Sequence, residues 1–77
     1  MTPDEARAQV RYSCPSACDF EAVRGEDGAV LGYTYARTGR PDTDFGWVTA
    51  GGQVAAAGDW YRSQAEEVLR LAAGGAA

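Results

Sequence analysis

Asp27-Gly28, set between two runs of alternating side chains, restricts the possible folds of this chain more than any other feature. Before it, Asp19 to Arg24 carries Phe20 and Ala22 on one side and Glu21 and Val23 on the other. After it, Ala29 to Arg37 alternates through Leu31, Tyr33 and Tyr35. Asp-Gly tolerates the positive backbone angles of a tight turn, so this arrangement signals a β-hairpin. A two-residue turn there pairs Ala22 with Tyr33 and Phe20 with Tyr35. Leu31, Tyr33 and Tyr35 then share a face with Phe20 and Ala22, and a one-residue slip would turn that face outward. Gly51-Gly52 reads as a second two-residue turn, after a strand in which Phe45, Trp47 and Thr49 alternate. It would set Thr49 opposite Val54 and Trp47 opposite Ala56, a large ring facing a small residue. Thr38 to Asp42 is a connecting loop by composition.

Helices flank this strand region. Thr2-Pro3-Asp4-Glu5 has a capping residue, a proline suited to the first helical position, and Glu at capping-box spacing. The helix it opens should fade between Val10 and Ser13, because Pro15 disfavours helix at the residue before it. Val10 to Cys14 is alternatively a first strand. At the other end, Gly58-Asp59 closes the strand region and opens an amphipathic helix. Asp59 is a candidate cap, and Ser63 with Glu66 a second capping box. Tyr61, Ala65, Val68, Leu69 and Ala72 fall on one face, with Trp60 and Leu71 widening it. Asp59, Arg62, Ser63, Glu66, Glu67 and Arg70 fall on the other. Gly74 ends the helix.

The expected fold class is therefore α+β. A small antiparallel β-meander, of three to four strands in two hairpins, packs against a C-terminal amphipathic helix, with a short N-terminal helix. At 77 residues, 1–77 is a single small domain, with 1–3 and 74–77 expected to fray. A chain this short buries only about 60% of its unfolded surface, so it must commit most of its apolar residues to one core.

Composition removes several classes of chemistry. The chain has no His, and all seven basic residues are Arg. The commonest general base, the commonest metal ligand and the lysine of a phosphate loop are thus missing. Abundant Ala and Gly, with Arg in place of Lys, is the bias of a high-GC bacterial genome. The net charge of -4 disfavours a nucleic-acid backbone binder, though it suits a basic protein partner and ordinary solubility. Met1 to Glu5 is acidic where a signal peptide is basic, and no apolar run is long enough to span a bilayer. A cytoplasmic protein with no membrane attachment is expected.

Tyr12-Ser13-Cys14-Pro15-Ser16-Ala17-Cys18-Asp19-Phe20 is the most specific local motif. Its aromatic, its Cys-Pro turn, and the second Cys with an aromatic after it resemble one knuckle of a zinc ribbon. The resemblance covers nine residues and departs from the pattern, with three residues between the cysteines where two are usual and no second knuckle. Structural zinc takes four ligands. A closed site would need Asp19 and another carboxylate, or two chains sharing one metal through Cys14 and Cys18. Two ordinary thiols, and a Cys14–Cys18 disulfide, are the other readings. No cofactor is expected unless it is zinc.

The remaining candidates are weaker. Asp42-Thr43-Asp44 lacks the glycine and distant Glu of a calcium loop, and the paired glycines lack the strand-to-helix context of a phosphate loop. No base, nucleophile and orienting group can be named together, so an enzyme is not expected. Tyr33, Tyr35, Arg37 and Arg40 combine aromatic and guanidinium groups, as protein hot spots and single-stranded nucleic-acid platforms do. The tyrosines are equally what the core requires. Trp47 reads as core, and Trp60, at the mouth of the helix, either packs against the neighbours of Tyr61 or stays partly exposed as an anchor. The favoured function is a non-enzymatic protein–protein interaction or regulatory module, monomer or homodimer. It would bind a protein partner through the open face or edge of the sheet, with Tyr33, Tyr35, Arg37, Arg40 and Trp60 as contacts. The alternatives are a zinc- or disulfide-stabilised domain and, further off, a nucleic-acid-binding module.

Overall fold

The computed structural model describes residues 1–37, 44–55 and 58–74. In chain order the elements are α1 (Pro3–Val10), β1 (Cys18–Arg24), β2 (Val30–Ala36), β3 (Phe45–Thr49) and α2 (Arg62–Gly74). The strands form one antiparallel sheet in the order β1-β2-β3, an α+β meander as expected. The fourth strand is reduced to two isolated bridges on the outer edge of β3, Val48 with Val54 and Phe45 with Asp59. The loop at 38–43 and the Trp47–Ala56 pairing lie outside the described residues.

α1 starts as its sequence dictates. The Thr2 hydroxyl accepts from the Glu5 N–H at 3.2 Å, and the Glu5 carboxylate accepts from the Thr2 N–H at 2.9 Å. Those bonds, with the nearby chain terminus, hold the Glu5 carboxyl below its ordinary range. The Met1 carbonyl accepts from the Tyr33 hydroxyl at 3.1 Å, and at the other end residues 75–77 of the segment expected to fray lie outside the described residues. The strand alternative for 10–14 fails. Val10 closes the helix, and its carbonyl accepts from the N–H groups of Ser13 and Cys14. That last turn keeps Ala6, Val10 and Cys14 all buried, which an extended chain would not do.

Both hairpins form where expected, but each turn is one residue longer than read. In the first, Gly25 and Ala29 close a loop of Glu26, Asp27 and Gly28. Gly25 N–H donates to the Ala29 carbonyl at 2.9 Å, and Gly28, at φ +84°, turns the chain back. In the second, Thr49 and Gln53 close a loop of Ala50, Gly51 and Gly52, with Gly52 at φ +96°. Both follow the three-residue design in which a turn is completed by a left-handed glycine. The second register consequently moves by one: Val54 faces Val48, not Thr49.

Bulges absorb the same offset in the first hairpin. Arg24 pairs with Val30 but Val23 with Gly32, which makes Leu31 an extra residue on β2. A bulged residue lies on the same side as its successor. Leu31 therefore leaves the Tyr33 face and packs with Leu69 and Ala72 on the opposite side. Beyond the bulge, Ala22 meets Tyr33 as expected. A second bulge opposes Asp19 and Phe20 to Tyr35 alone, with Asp19 at φ +57°, and Phe20 still stacks on Tyr35 at a 5.2 Å centroid separation.

The two faces of the sheet build two clusters. Val23, Ala36, Phe45 and Trp47 pack with Ala55 against Ala65 and Leu69 of α2. Tyr33, Tyr35 and Val48 pack against Ala6 and Val10 of α1 and against Cys14. α2 begins later than its sequence suggested. Asp59 exchanges both backbone hydrogen bonds with Phe45 and so continues the sheet edge, and Ser63 is already inside the helix. The Gln64 side chain instead accepts from the Tyr61 N–H at 3.2 Å.

Candidate functional site

The expected contact surface was the sheet face that the C-terminal helix leaves open, and among the described residues α1 covers the part of that face built by Tyr33, Tyr35 and Val48. α2 covers one side and α1 the other, so Tyr33 and Tyr35 are buried in the α1 cluster. Tyr35 is 1% exposed. Burial, reinforced by the Cys14 thiol and Asp44 against the opposing Arg37, pushes its hydroxyl up to about 12 from the ordinary 10. A phenol whose pKa is raised by folding contributes stability that is complete below about pH 10 and is lost as pH climbs through about 12. In an alkaline titration followed by phenolate absorbance, one of the four tyrosines should ionise late, together with loss of the circular-dichroism signal. Tyr35→Phe should remove that late step. A late end of the titration unchanged by Tyr35→Phe would show that Tyr35 is not sealed from water.

Sheet edges are occupied as well. The outer edge of β3 is bridged at Val54 and Asp59. Two carbonyls of β1 are taken by arginines of α2: Arg62 donates to Asp19 O at 3.1 Å and Arg70 to Arg24 O at 2.9 Å. An edge blunted in this way is a poor template for an added strand.

Arg62 is the residue whose role the sequence reading missed. It had been grouped with the outward charges of its helix, yet its guanidinium reaches across the sheet. It donates to the Thr34 hydroxyl at 3.0 Å and pairs with Asp19 Oδ2 at 3.1 Å and Glu21 Oε2 at 2.8 Å. Its Cζ lies 5.0 Å from the centre of the Phe45 ring. The planar fork suits such a many-sided clasp, which fixes both α2 and the left-handed Asp19. The signal was present in the spacing, since Arg62, Ala65 and Leu69 form one row along the helix.

Arg37 lies beside Asp44 at 4.0 Å, and its carbonyl accepts from Cys14 Sγ and Ser16 Oγ, both at 2.7 Å. Arg40 lies outside the described residues. Cys14 is buried and Cys18 exposed, and both are free thiols, so the structure holds no bridge between them. Among the described residues no three His, Cys, Asp or Glu side chains stand close enough to hold a metal ion. A shallow cleft of about 310 Å³ lies between the second turn and the end of α2, lined by Leu31, Thr49, Ala50, Gly51, Ala72 and Ala73. Thr49 supplies its one side-chain polar group, and that hydroxyl already accepts from the Gln53 N–H. Nothing in this lining can move a proton.

Among the described residues, four of the five exposed large hydrophobes lie on α2 or in the bend that leads into it. Trp60 is 67% exposed, Tyr61 61%, Val68 38% and Leu71 65%. The buried row of the helix is narrower than its amphipathic pattern implied: Ala65 and Leu69 are covered, Ala72 is half-buried, and Tyr61 and Val68 are left on the flank. Of the expected contacts, Trp60 is thus where an anchor would be, and the structure does not bring it together with Tyr33 and Tyr35. Tyr12, beyond α1, is also exposed but stands apart in sequence from this group. No described helix is long and apolar enough to cross a membrane. Comparison with protein-family models, with curated proteins and with solved structures returned no match.

Proposed function

We propose that this chain is a non-enzymatic protein-interaction module whose contact surface is the outer flank of α2. The supporting observation is the exposure of four large apolar side chains close together in sequence, Trp60 and Tyr61 just before α2 and Val68 and Leu71 on it. Scattered single hydrophobes are ordinary on a small protein, but four large ones between positions 60 and 71, two of them aromatic, have the composition of an interface centre. The mode is helix-in-groove, read as anchors at helical spacing, and replaces the sheet-face contact that the sequence suggested. The net charge of -4 keeps the remaining surface hydrated. The zinc and nucleic-acid alternatives gain no support from this arrangement, since Cys14 is turned inward to Arg37 and the flank carries no basic group.

The test is site-specific photocrosslinking in cells that produce the protein. A crosslinker at Leu71 should give a discrete protein adduct. The same group at Asp27, in the first hairpin loop, should give none, and Trp60→Ala should weaken the Leu71 adduct at least about tenfold. Equal labelling from both positions, or none from Leu71, would sink the reading.

A further inference from the structure

We infer that the occupant of the α2 flank is a second copy of this chain, joined through an antiparallel pair of α2 helices. This rests on the reading of that flank as a contact surface and identifies its partner. The first argument is spacing. Tyr61, whose carbonyl accepts from the first turn of α2, and Gln64, Val68 and Leu71 within the helix are separated by three, four and three residues, the alternation of a two-helix seam. The order is palindromic, so reversing the helix superimposes Tyr61 on Leu71 and Gln64 on Val68. A twofold interface requires that self-complementarity: wherever Tyr61 meets the partner's Leu71, Leu71 meets the partner's Tyr61.

Charge is the second argument. The basic side chains of α2 face away from the seam and are engaged within the chain, Arg62 by Asp19 and Glu21, Arg70 by Glu66 and the Arg24 carbonyl. The seam itself is uncharged, with Gln64 its single polar member, and two copies can therefore close on it without burying an ion. Area sets the strength. Counting Trp60 at the rim together with Tyr61, Val68 and Leu71, the exposed apolar side chains offer on the order of 500 Å² per chain. The pair would bury about 1,000 Å², the lower limit of a specific interface, which makes a reversible rather than a permanent dimer. Glu67 borders the seam, and the twofold axis brings both copies of it near each other. With the net charge of each chain, this like-charge contact opposes association until salt screens it.

Sedimentation equilibrium of the purified full chain tests the inference. The average mass should rise with concentration toward twice that of the monomer. Association should be several-fold stronger at about 0.5 M than at about 0.02 M sodium chloride. Leu71→Glu should weaken it at least about tenfold, and Glu67→Gln should tighten it in low salt. Circular dichroism should be unchanged in both variants, because both residues are exposed. If Leu71→Glu loses structure, the Glu67→Gln result and the salt series decide alone. A monomer up to about 1 mM in both salts overturns the inference, as does a dimer indifferent to both variants. A monomer that still yields a Leu71 crosslink to a different protein removes the second copy and leaves the contact surface standing. A monomer with no crosslink removes both.

Discussion

Gly32→Ala is expected to cost about 3 kcal/mol, most of what a domain of this size holds. The local preference runs the other way, since alanine in place of a strand glycine normally gains about 0.5–1 kcal/mol. Packing decides the sign. A β-carbon on Gly32 would collide with the Val48 carbonyl oxygen and stand 2.9 Å from both Thr49 Cα and Leu69 Cδ1. Two of those three neighbours are backbone of β3 and cannot rotate aside. Relief requires β2 and β3 to separate at the Gly32–Thr49 pair, which closes their ladder beside the second turn. Urea unfolding followed by tryptophan fluorescence would measure the change. A midpoint equal to that of the unmodified protein would mean that the strands do not approach so closely here.

Leu69→Ala should be of similar or greater size, about 3–4 kcal/mol. Leu69 is fully buried and is the largest residue that α2 contributes to its cluster, where it meets Val23, Phe45 and Trp47. Ala65 and the half-buried Ala72 are too small to hold the helix in its place. The change both removes apolar contact and leaves a cavity against a rigid sheet. The same urea measurement applies, and a loss under about 1 kcal/mol would mean that α2 is not held by this residue. The two substitutions also meet at one contact. With Leu69 shortened, alanine at 32 loses one collision and keeps those with Val48 and Thr49. The double variant should therefore be less damaged than the sum of the single changes, by about 1 kcal/mol.

Much of this architecture was legible because local signals agreed with one another. Asp27-Gly28 and Gly51-Gly52 mark the bends, Thr2-Pro3-Asp4-Glu5 marks a helix start, and the last helix shows its apolar side. Register was harder, because a glycine pair does not reveal whether its left-handed member is the second or the third residue of the loop. The structure uses the third in both hairpins. In the first hairpin the extra loop residue and the bulge at Leu31 cancel, so Ala22 meets Tyr33 despite the misread turn. In the second nothing cancels and Val54 moves by one position.

The candidate site was less legible for a related reason. Alternation shows that Tyr33 and Tyr35 share a face, but not that the eight residues of α1 are enough to close it. Side-chain reach misled in the opposite direction at Arg62, whose Cα sits at the border of the helix while its guanidinium crosses to β1 and β2. For Trp60 the sequence left packing and partial exposure both open, and the structure exposes it. Its companions Tyr61, Val68 and Leu71 were assigned to the core, because an amphipathic pattern does not show how wide a row the sheet will cover.

The unequal situation of the two thiols makes them a pair of reporters within the native protein. Cys18 lies open at the start of β1, whereas Cys14 is shut behind the end of α1 with its hydrogen directed to the Arg37 carbonyl. An alkylating reagent should consume the first at the rate of a free thiol and reach the second only during moments when the amino-terminal segment lifts away. The ratio of the two rates would give the free energy of that opening, without a probe having to be introduced.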